Sequence, residues 1–406
     1  MGHDNQMDED FMGRSWSPPD KFVCPGCVAD SFLKEKIAQN LAKRKCDYCG
    51  RGGRGNIAAP VAAIMEHIGP TFHYYYADPD HAGVPYDEGG YAISPNIRAE
   101  DGLWAINLKC HDVLFADIAR SIGNDMLWVE ASGGVWLGEH QNEFLSNEWK
   151  RFSQTIKHES RFFFSTLAST GQKFPSNYTP LEMLAEIGQM VSEMGMVQPW
   201  SAGTKLFRGR KREADATWPL DAKELGAPPN EKALTQRMNP AGISYFYLAK
   251  EQETVLAEVE RSIMPRQIAM ASFTLRRDLQ LLDLANFPQI PSIFDQARRS
   301  EYESALFLIS FANEISKPVK KDGLEHIEYI PSQIVSEYFA KIFRLNDGSP
   351  LDGMTYASAA FSGGGNIVLF PPQDSRGFGA LANFSDPVLI PPRDSNCTEG
   401  KAGDRI

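Results

Sequence analysis

Six side chains able to grip and cleave a dinucleotide are set out in order between residues 208 and 366. Arg208 ends Leu206-Phe207-Arg208, Arg237 opens Arg237-Met238-Asn239-Pro240-Ala241-Gly242, and Tyr247 opens Tyr247-Leu248-Ala249. Glu258 lies in Val255-Leu256-Ala257-Glu258-Val259, Ser358 in Tyr356-Ala357-Ser358, and Asn366 in Gly365-Asn366-Ile367-Val368-Leu369-Phe370. Arginine forks bind pyrophosphate oxygens as no neutral side chain can. A tyrosine ring can stack on an aromatic base. A carboxylate can stabilise the positive charge that builds on a ribose as its base departs. Together these residue types outline an NAD-cleaving site.

Each also has a plainer reading. Arg208 stands in a basic run with Lys205, Arg210, Lys211 and Arg212, and a charge run is commonly a solvated face. Tyr245 and Tyr247 share a strand face and could simply pack a core. Glu260 lies about 160° around a helix from Glu258, so only one of the two can enter a given pocket. The apolar stripe Val255, Leu256, Val259, Ile263 slightly favours Glu260. Ser358 has no His–Asp set near it in sequence, which makes it a hydrogen-bonding serine before a nucleophile. Gly363 to Gly365 reads as a hairpin loop rather than a phosphate cradle, since no helix follows.

A second constellation lies near the N-terminus. Cys24-Pro25-Gly26-Cys27 and Cys46-Asp47-Tyr48-Cys49 are two Cys-x-x-Cys knuckles with 18 residues between them. That spacing fits a tetrahedral Cys₄ zinc site, closed to water and therefore structural, in preference to two disulfides or four free thiols. Cys110 reads as a buried thiol and Cys397 as a tail residue. Gly50-Arg51-Gly52-Gly53-Arg54-Gly55 matches Gly-x-Gly-x-x-Gly only formally, because it follows a knuckle rather than a strand. It reads as a flexible loop.

The ordered series in the C-terminal half resembles the RES domain, named for its Arg, Glu and Ser, of bacterial toxin–antitoxin pairs. By position those residues are Arg208, Glu258 and Ser358, with Arg237, Tyr247 and Asn366 alongside. Here Gln236-Arg237-Met238-Asn239 stands where the family carries Gly-Arg-Trp-Asn, which alters the pocket wall but not its charge. The resemblance implies an ADP-ribosyltransferase-like fold and an NAD phosphorylase or glycohydrolase, with NAD as substrate. It gives Arg208, Glu258 and Ser358 catalytic roles and makes Arg237, Tyr247 and Asn366 substrate-binding. It also implies an antitoxin as partner, and leaves a homodimer open. The cysteine module and the helical stretch after it resemble the N-terminal domain fused ahead of some RES domains and related to the HEPN family. HEPN ribonucleases carry Arg-x₄₋₆-His, which Arg151 and His158 match, both on one face of a helix. A ribonuclease, an ADP-ribosyltransferase acting on a protein, and a module that holds NAD without cutting it are the competing classes.

These sites need positioning elements. The 406 residues suffice for two or three domains with a substantial core. The fold class expected is α+β: a zinc-stapled helical N-terminal domain followed by a mixed α/β domain. The expected divisions are a flexible tail over 1–20, a Cys₄ module over 21–55 and a helical region over 56–195. A RES domain over 200–375 and a loosely ordered tail over 376–406 complete them. Thr179, Pro180, Glu182 and Gly195 mark one helix by its cap, first turn, capping box and stop. Strands are expected over 243–249, 268–275, 279–284, 354–357 and 367–370, and helices over 251–262, 300–315 and 332–343. The net charge of −11 argues against a nucleic-acid or membrane partner. Six cysteines, four in a metal pattern, point with the polar N-terminus to the cytoplasm.

Overall fold

The computed structural model describes residues 16–80, 84–87, 90–91, 97–123, 125–131, 139–163, 178–212, 216–260, 267–319, 322–372 and 377–390. Contacts divide the chain into two units, residues 1–144 with 289–306 and residues 145–288 with 307–406. Among the described residues no helix is long and apolar enough to cross a membrane.

The first unit is helical. Asp30 caps the helix Ser31–Gln39 by accepting from Leu33 N at 2.9 Å, and Leu33 and Ile37 on its inner face are fully buried. The helix Ala62–Tyr75 buries Ile64, Met65, Ile68 and Phe72, and the helix Asp112–Ile122 adds Leu114, Ile118 and Ile122. Apolar residues three and four apart make one stripe per helix, and these stripes meet in one core. A buried charge sits at its margin. Asp117, 5% exposed, accepts from Lys21 Nζ at 2.6 Å, Arg120 Nη1 at 2.9 Å and the Tyr48 hydroxyl at 3.1 Å. Lys21 precedes the first cysteine pair and Tyr48 lies inside the second, so this carboxylate anchors both to the helix Asp112–Ile122.

The second unit is built on a nine-stranded mixed sheet: β1 (Val197–Trp200), β2 (Lys205–Arg212), β3 (Phe246–Ala249), β4 (Gln267–Leu275), β5 (Leu279–Asp283), β6 (Gly353–Ala357), β7 (Gly365–Leu369), β8 (Ala382–Phe384) and β9 (Val388–Ile390). The strand order is β8-β4-β2-β3-β7-β6-β5-β1, with β9 also on β4. Only β5 and β6 run parallel; the other neighbours are antiparallel. β2 and β4 pair over eight residues, whereas β2 and β3 meet at the one pair Phe207–Ala249. The sheet therefore parts into two halves beyond that pair.

The pleat sends neighbouring side chains to opposite faces. On one face Leu206, Phe246, Leu248, Phe273 and Leu369 form the larger core. On the other, Phe207, Ala249 and Met270 pack beneath Val255, Leu256 and Val259 of the helix Gln252–Glu260. Gly209 allows that helix to lie close, since a Cβ there would collide with Val255.

The helix Pro180–Glu193 begins as the sequence predicts: Thr179 Oγ1 accepts from Glu182 N, and Glu182 accepts from Thr179 N at 2.8 Å. The expected strands and the helices Arg299–Ser316 and Ile330–Lys341 are present within a few residues of their predicted limits. Two expectations differ. Val197–Trp200, outside the expected strands, forms β1 at the sheet edge. The composition after Pro372 suggested a loose tail, yet β8 and β9 pair with β4. Phe384 is the reason β8 is held, its ring lying 4.9 Å from Phe273 and 6.3 Å from Phe246. Residues 391–406 lie outside the described ones.

Candidate active site

The helix Gln252–Glu260 delivers Glu258 to the end of the β6–β7 hairpin. Ser358 Oγ donates to Glu258 Oε1 at 2.7 Å and Asn366 Nδ2 donates to the same oxygen at 2.9 Å. Oε2 has no hydrogen-bond partner among the described residues, and the carboxylate is half-buried. One oxygen is thus fixed by two neutral donors while the other stays available. Ser358 Oγ also accepts from Ala360 N at 3.1 Å and Phe361 N at 3.2 Å, which locks the hairpin turn. Asn366 stands opposite Tyr356 in the ladder.

Glu251 couples that hairpin to the start of the helix. Its Oε2 accepts from Thr254 Oγ1 at 3.0 Å and from Gly365 N at 3.3 Å. Gly364 is required there, because a Cβ would run into Thr254 Oγ1. Residues 363–365 form the hairpin loop that the sequence predicts, with Gly363 at φ +79°.

Tyr247 and Arg237 make a second group. The Tyr247 hydroxyl donates to Asn239 Oδ1 at 2.7 Å and accepts from Met238 N at 3.0 Å. Asn239 Nδ2 donates to the carbonyls of Leu234, Pro240 and Ile243, so this buried amide shapes the whole turn. From the other side, Ser332, Gln333 and Ser336 of the helix Ile330–Lys341 donate to the carbonyls of Arg237, Gln236 with Asn239, and Met238 respectively. These three were not singled out in the sequence. The signal for them is three polar residues, at 332, 333 and 336, set among the buried Ile330, Pro331 and Val335.

Arg237 Nη1 donates to the carbonyls of Ile315 at 2.8 Å and Lys317 at 2.6 Å, at the C-terminus of the helix Arg299–Ser316. A cation is favoured there by the helix dipole. Its guanidinium also lies over Tyr329, 5.7 Å from the ring centre. Tyr356 connects the two groups electrostatically. Burial pushes its phenol above the ordinary value, Arg237 pulls it down, and Glu258 and Tyr329 push it up.

Arg208 stands apart. It lies between Phe207 and Gly209, which face the helix, so its own side chain takes the opposite face of β2. There its guanidinium lies 5.5 Å from the Phe246 ring, and Nη1 is buried with no hydrogen-bond partner among the described residues. Burial, and then the charge of Arg210, pull its pKa down to about 10, which leaves it charged at neutral pH. The structure thus joins Glu258, Ser358 and Asn366 directly, places Tyr247 and Arg237 within electrostatic reach of Tyr356, and leaves Arg208 on the other face of the sheet with no hydrogen-bond partner for Nη1 among the described residues. The side chain of Glu260 lies outside the described ones.

Comparison with known families bears on both halves of the chain. Residues 205–387 match the family model of the RES domain. That segment, just under half of the chain, is a RES domain by this match. Residues 39–170 match HEPN/RES N-terminal domain 1. No curated protein and no solved structure matches. The six site residues and the edge strand β8 all fall inside the RES match, and the cysteine knuckle at Cys46 and the helix Gln141–His158 fall inside the N-terminal one.

In this RES-domain protein the four N-terminal cysteines do converge. Their sulfurs all lie within 4.8 Å of one another, with Cys24–Cys27 at 3.8 Å and Cys24–Cys49 and Cys27–Cys46 at 3.6 Å. Disulfide sulfurs would be about 2.05 Å apart. Four thiolates about 2.3 Å from one zinc ion define a tetrahedron with edges of about 3.8 Å, so the set fits such an ion. Cys110 is half-buried, and burial pushes its thiol up to about 12; Cys397 lies outside the described residues. In the HEPN-type pair, Arg151 Nη1 bonds Glu148 Oε1 at 2.8 Å, one turn back along the helix, rather than standing free beside His158.

Proposed function

We propose that this RES-domain protein is an NAD-degrading enzyme of the toxin type, cleaving the nicotinamide–ribose bond by phosphorolysis or hydrolysis. The observation that carries the reading is the Glu258 carboxylate, held at Oε1 by Ser358 and Asn366 and without a partner on Oε2 among the described residues. That second oxygen would bond the ribose hydroxyls and stabilise the oxocarbenium-like state. The C1′–N bond breaks with its electron pair going to the pyridinium ring, so nicotinamide leaves neutral. An oxygen of phosphate, or of water with loss of a proton, then bonds to C1′.

Arg208 and Arg237 would hold the diphosphate. Arg208 supplies a buried Nη1 without a hydrogen-bond partner among the described residues, and Arg237 donates to the carbonyls of Ile315 and Lys317 through Nη1. β2 and β3 pair only at Phe207–Ala249, so a diphosphate reaching Arg208 as well as Arg237 would lie where the two strands part. Tyr247, its hydroxyl engaged by the Asn239 turn, would offer its ring to nicotinamide or its ribose. Cys24, Cys27, Cys46 and Cys49 would hold a structural zinc ion. An antitoxin would neutralise the enzyme.

Incubating the purified protein with NAD, with and without phosphate, tests the reading by nicotinamide release. Phosphate-dependent release marks phosphorolysis and phosphate-independent release marks hydrolysis. Absence of release, with NAD intact, would defeat the reading.

A further inference from the structure

A cavity of about 710 Å³ opens beside Arg237, all of its lining within residues 145–288 and 307–406. One wall is the helix Gln141–His158, which contributes Trp149, Lys150, Ser153 and Gln154; the facing wall includes Phe311 and Tyr329. The volume is within the roughly 300–1,000 Å³ usual for small-molecule and cofactor sites. Its lining combines aromatic rings, neutral hydrogen-bonding groups and the cations Lys150, Arg237 and Lys317 with the carboxylates Glu314, Asp322 and Glu328, the last of them paired with Lys157. That is the chemistry of a nucleoside phosphate site: rings for a base, hydroxyl and amide groups for its edge, and positive charge for the phosphate.

The placement of Arg237 decides which nucleotide. Its guanidinium lies over Tyr329 at the cavity wall, while Tyr356, whose phenol feels the charges of both Arg237 and Glu258, stands opposite Asn366, the residue that bonds Glu258. A diphosphate held by Arg237 would have the cleaved ribose toward Glu258 and its second nucleoside toward the cavity. We infer that this cavity receives the adenosine phosphate half of the dinucleotide, with the helix Gln141–His158 as one wall. The inference rests on the NAD-cleaving reading of Glu258. It has a consequence for organisation, because that helix lies in the segment matching HEPN/RES N-terminal domain 1. The N-terminal segment then completes the substrate site of the RES domain, and Lys157, paired with Glu328 at 2.7 Å, holds the helix against residues next to Tyr329.

The experiment measures AMP binding by calorimetry and NAD cleavage by nicotinamide release, on the full chain. Ser153→Trp fills the cavity from the helix, and Ser310→Phe fills it from the helix Arg299–Ser316, so a folding failure of one leaves the other. Circular dichroism checks both. AMP should bind the wild type and Glu258→Gln alike, and each filled variant should lose about tenfold in AMP affinity. Each filled variant should also raise KM for NAD about tenfold with kcat within about threefold, the pattern of lost uniform binding. If the wild type binds no AMP, or the folded filled variants bind it as the wild type does, the inference is overturned. If the filled variants lose AMP binding but the wild type releases no nicotinamide, the NAD-cleaving reading fails while the nucleotide cavity stands.

Discussion

Ser358 and Glu258 are 100 residues apart in the chain and 2.7 Å apart in space. The serine hydroxyl donates to the carboxylate and accepts two backbone N–H groups from its own turn. This makes it a strut for Glu258, and the expected mutant phenotypes follow from that geometry.

Glu258→Gln should reduce nicotinamide release by about 10²–10³, the loss that follows removal of a charge meeting the transition state. A glutamine carbonyl can still accept from Ser358 and Asn366, so the circular dichroism spectrum and unfolding temperature should stay close to wild type. Retained activity would remove Glu258 from the chemistry.

Ser358→Ala should lower kcat by about tenfold, because Oε1 keeps Asn366 but loses its shorter hydrogen bond, worth about 1.5–3 kcal/mol to a charged group. A nucleophile would behave differently. Its loss would abolish turnover, and a covalent ribosyl intermediate would be found by mass spectrometry of the wild type during reaction.

Arg208→Ala should weaken NAD binding by about 30- to 100-fold, as a charge-assisted bond of about 2–3 kcal/mol is removed. Arg208→Lys should not restore it, since an ammonium lacks the planar fork. Binding to the cleavage-defective Glu258→Gln protein, followed by calorimetry, separates affinity from turnover. An unchanged dissociation constant in Arg208→Ala would assign the buried guanidinium to structure alone.

Metal analysis of freshly purified reduced protein should find about one zinc ion per chain. Cys24→Ser and Cys46→Ser should each release it and expose residues 21–55 to proteolysis, because metal-binding free energy is folding free energy in such modules. Zinc-free protein with the segment still protected would show that the sulfurs cluster for packing.

Acid should unfold the first unit through Asp117. Burial alone would raise its pKa, but Lys21, Tyr48 and Arg120 outweigh burial and hold it below the ordinary carboxylate value. A depressed folded value means that the contribution is complete above about pH 4 and fades as pH falls through the folded pKa. Asp117→Asn should therefore cost about 2 kcal/mol at pH 7, with partner exposures of 43% and 72% screening the pairs. It should also flatten the acid limb of the unfolding-midpoint profile. An acid limb identical to wild type would assign the transition to other carboxylates.

Much of the second unit was legible in local pattern. The Thr179–Glu182 capping box, the apolar runs that became β4 and β5, and the glycine loop after Ser358 depend on neighbours in sequence. The outer strands were not. β1 and β8 have little local signal, and their place comes from partners far along the chain: Leu279–Leu282 for β1, Phe273–Leu275 for β8.

The same division holds for the site. By themselves the residues specified which side chains could meet a dinucleotide, the spacing of a Cys₄ cluster and the family to which the RES segment belongs, since types and intervals are properties of the chain. Tertiary structure alone decided that Ser358 and Asn366 share one oxygen of Glu258, that Arg208 points to the opposite face from that carboxylate, and that Ser332, Gln333 and Ser336 hold the Arg237 turn. The reason is physical: a side chain's direction is set by strand pleat and pairing register, and a hydrogen bond across 100 residues forms only after both strands have found their partners.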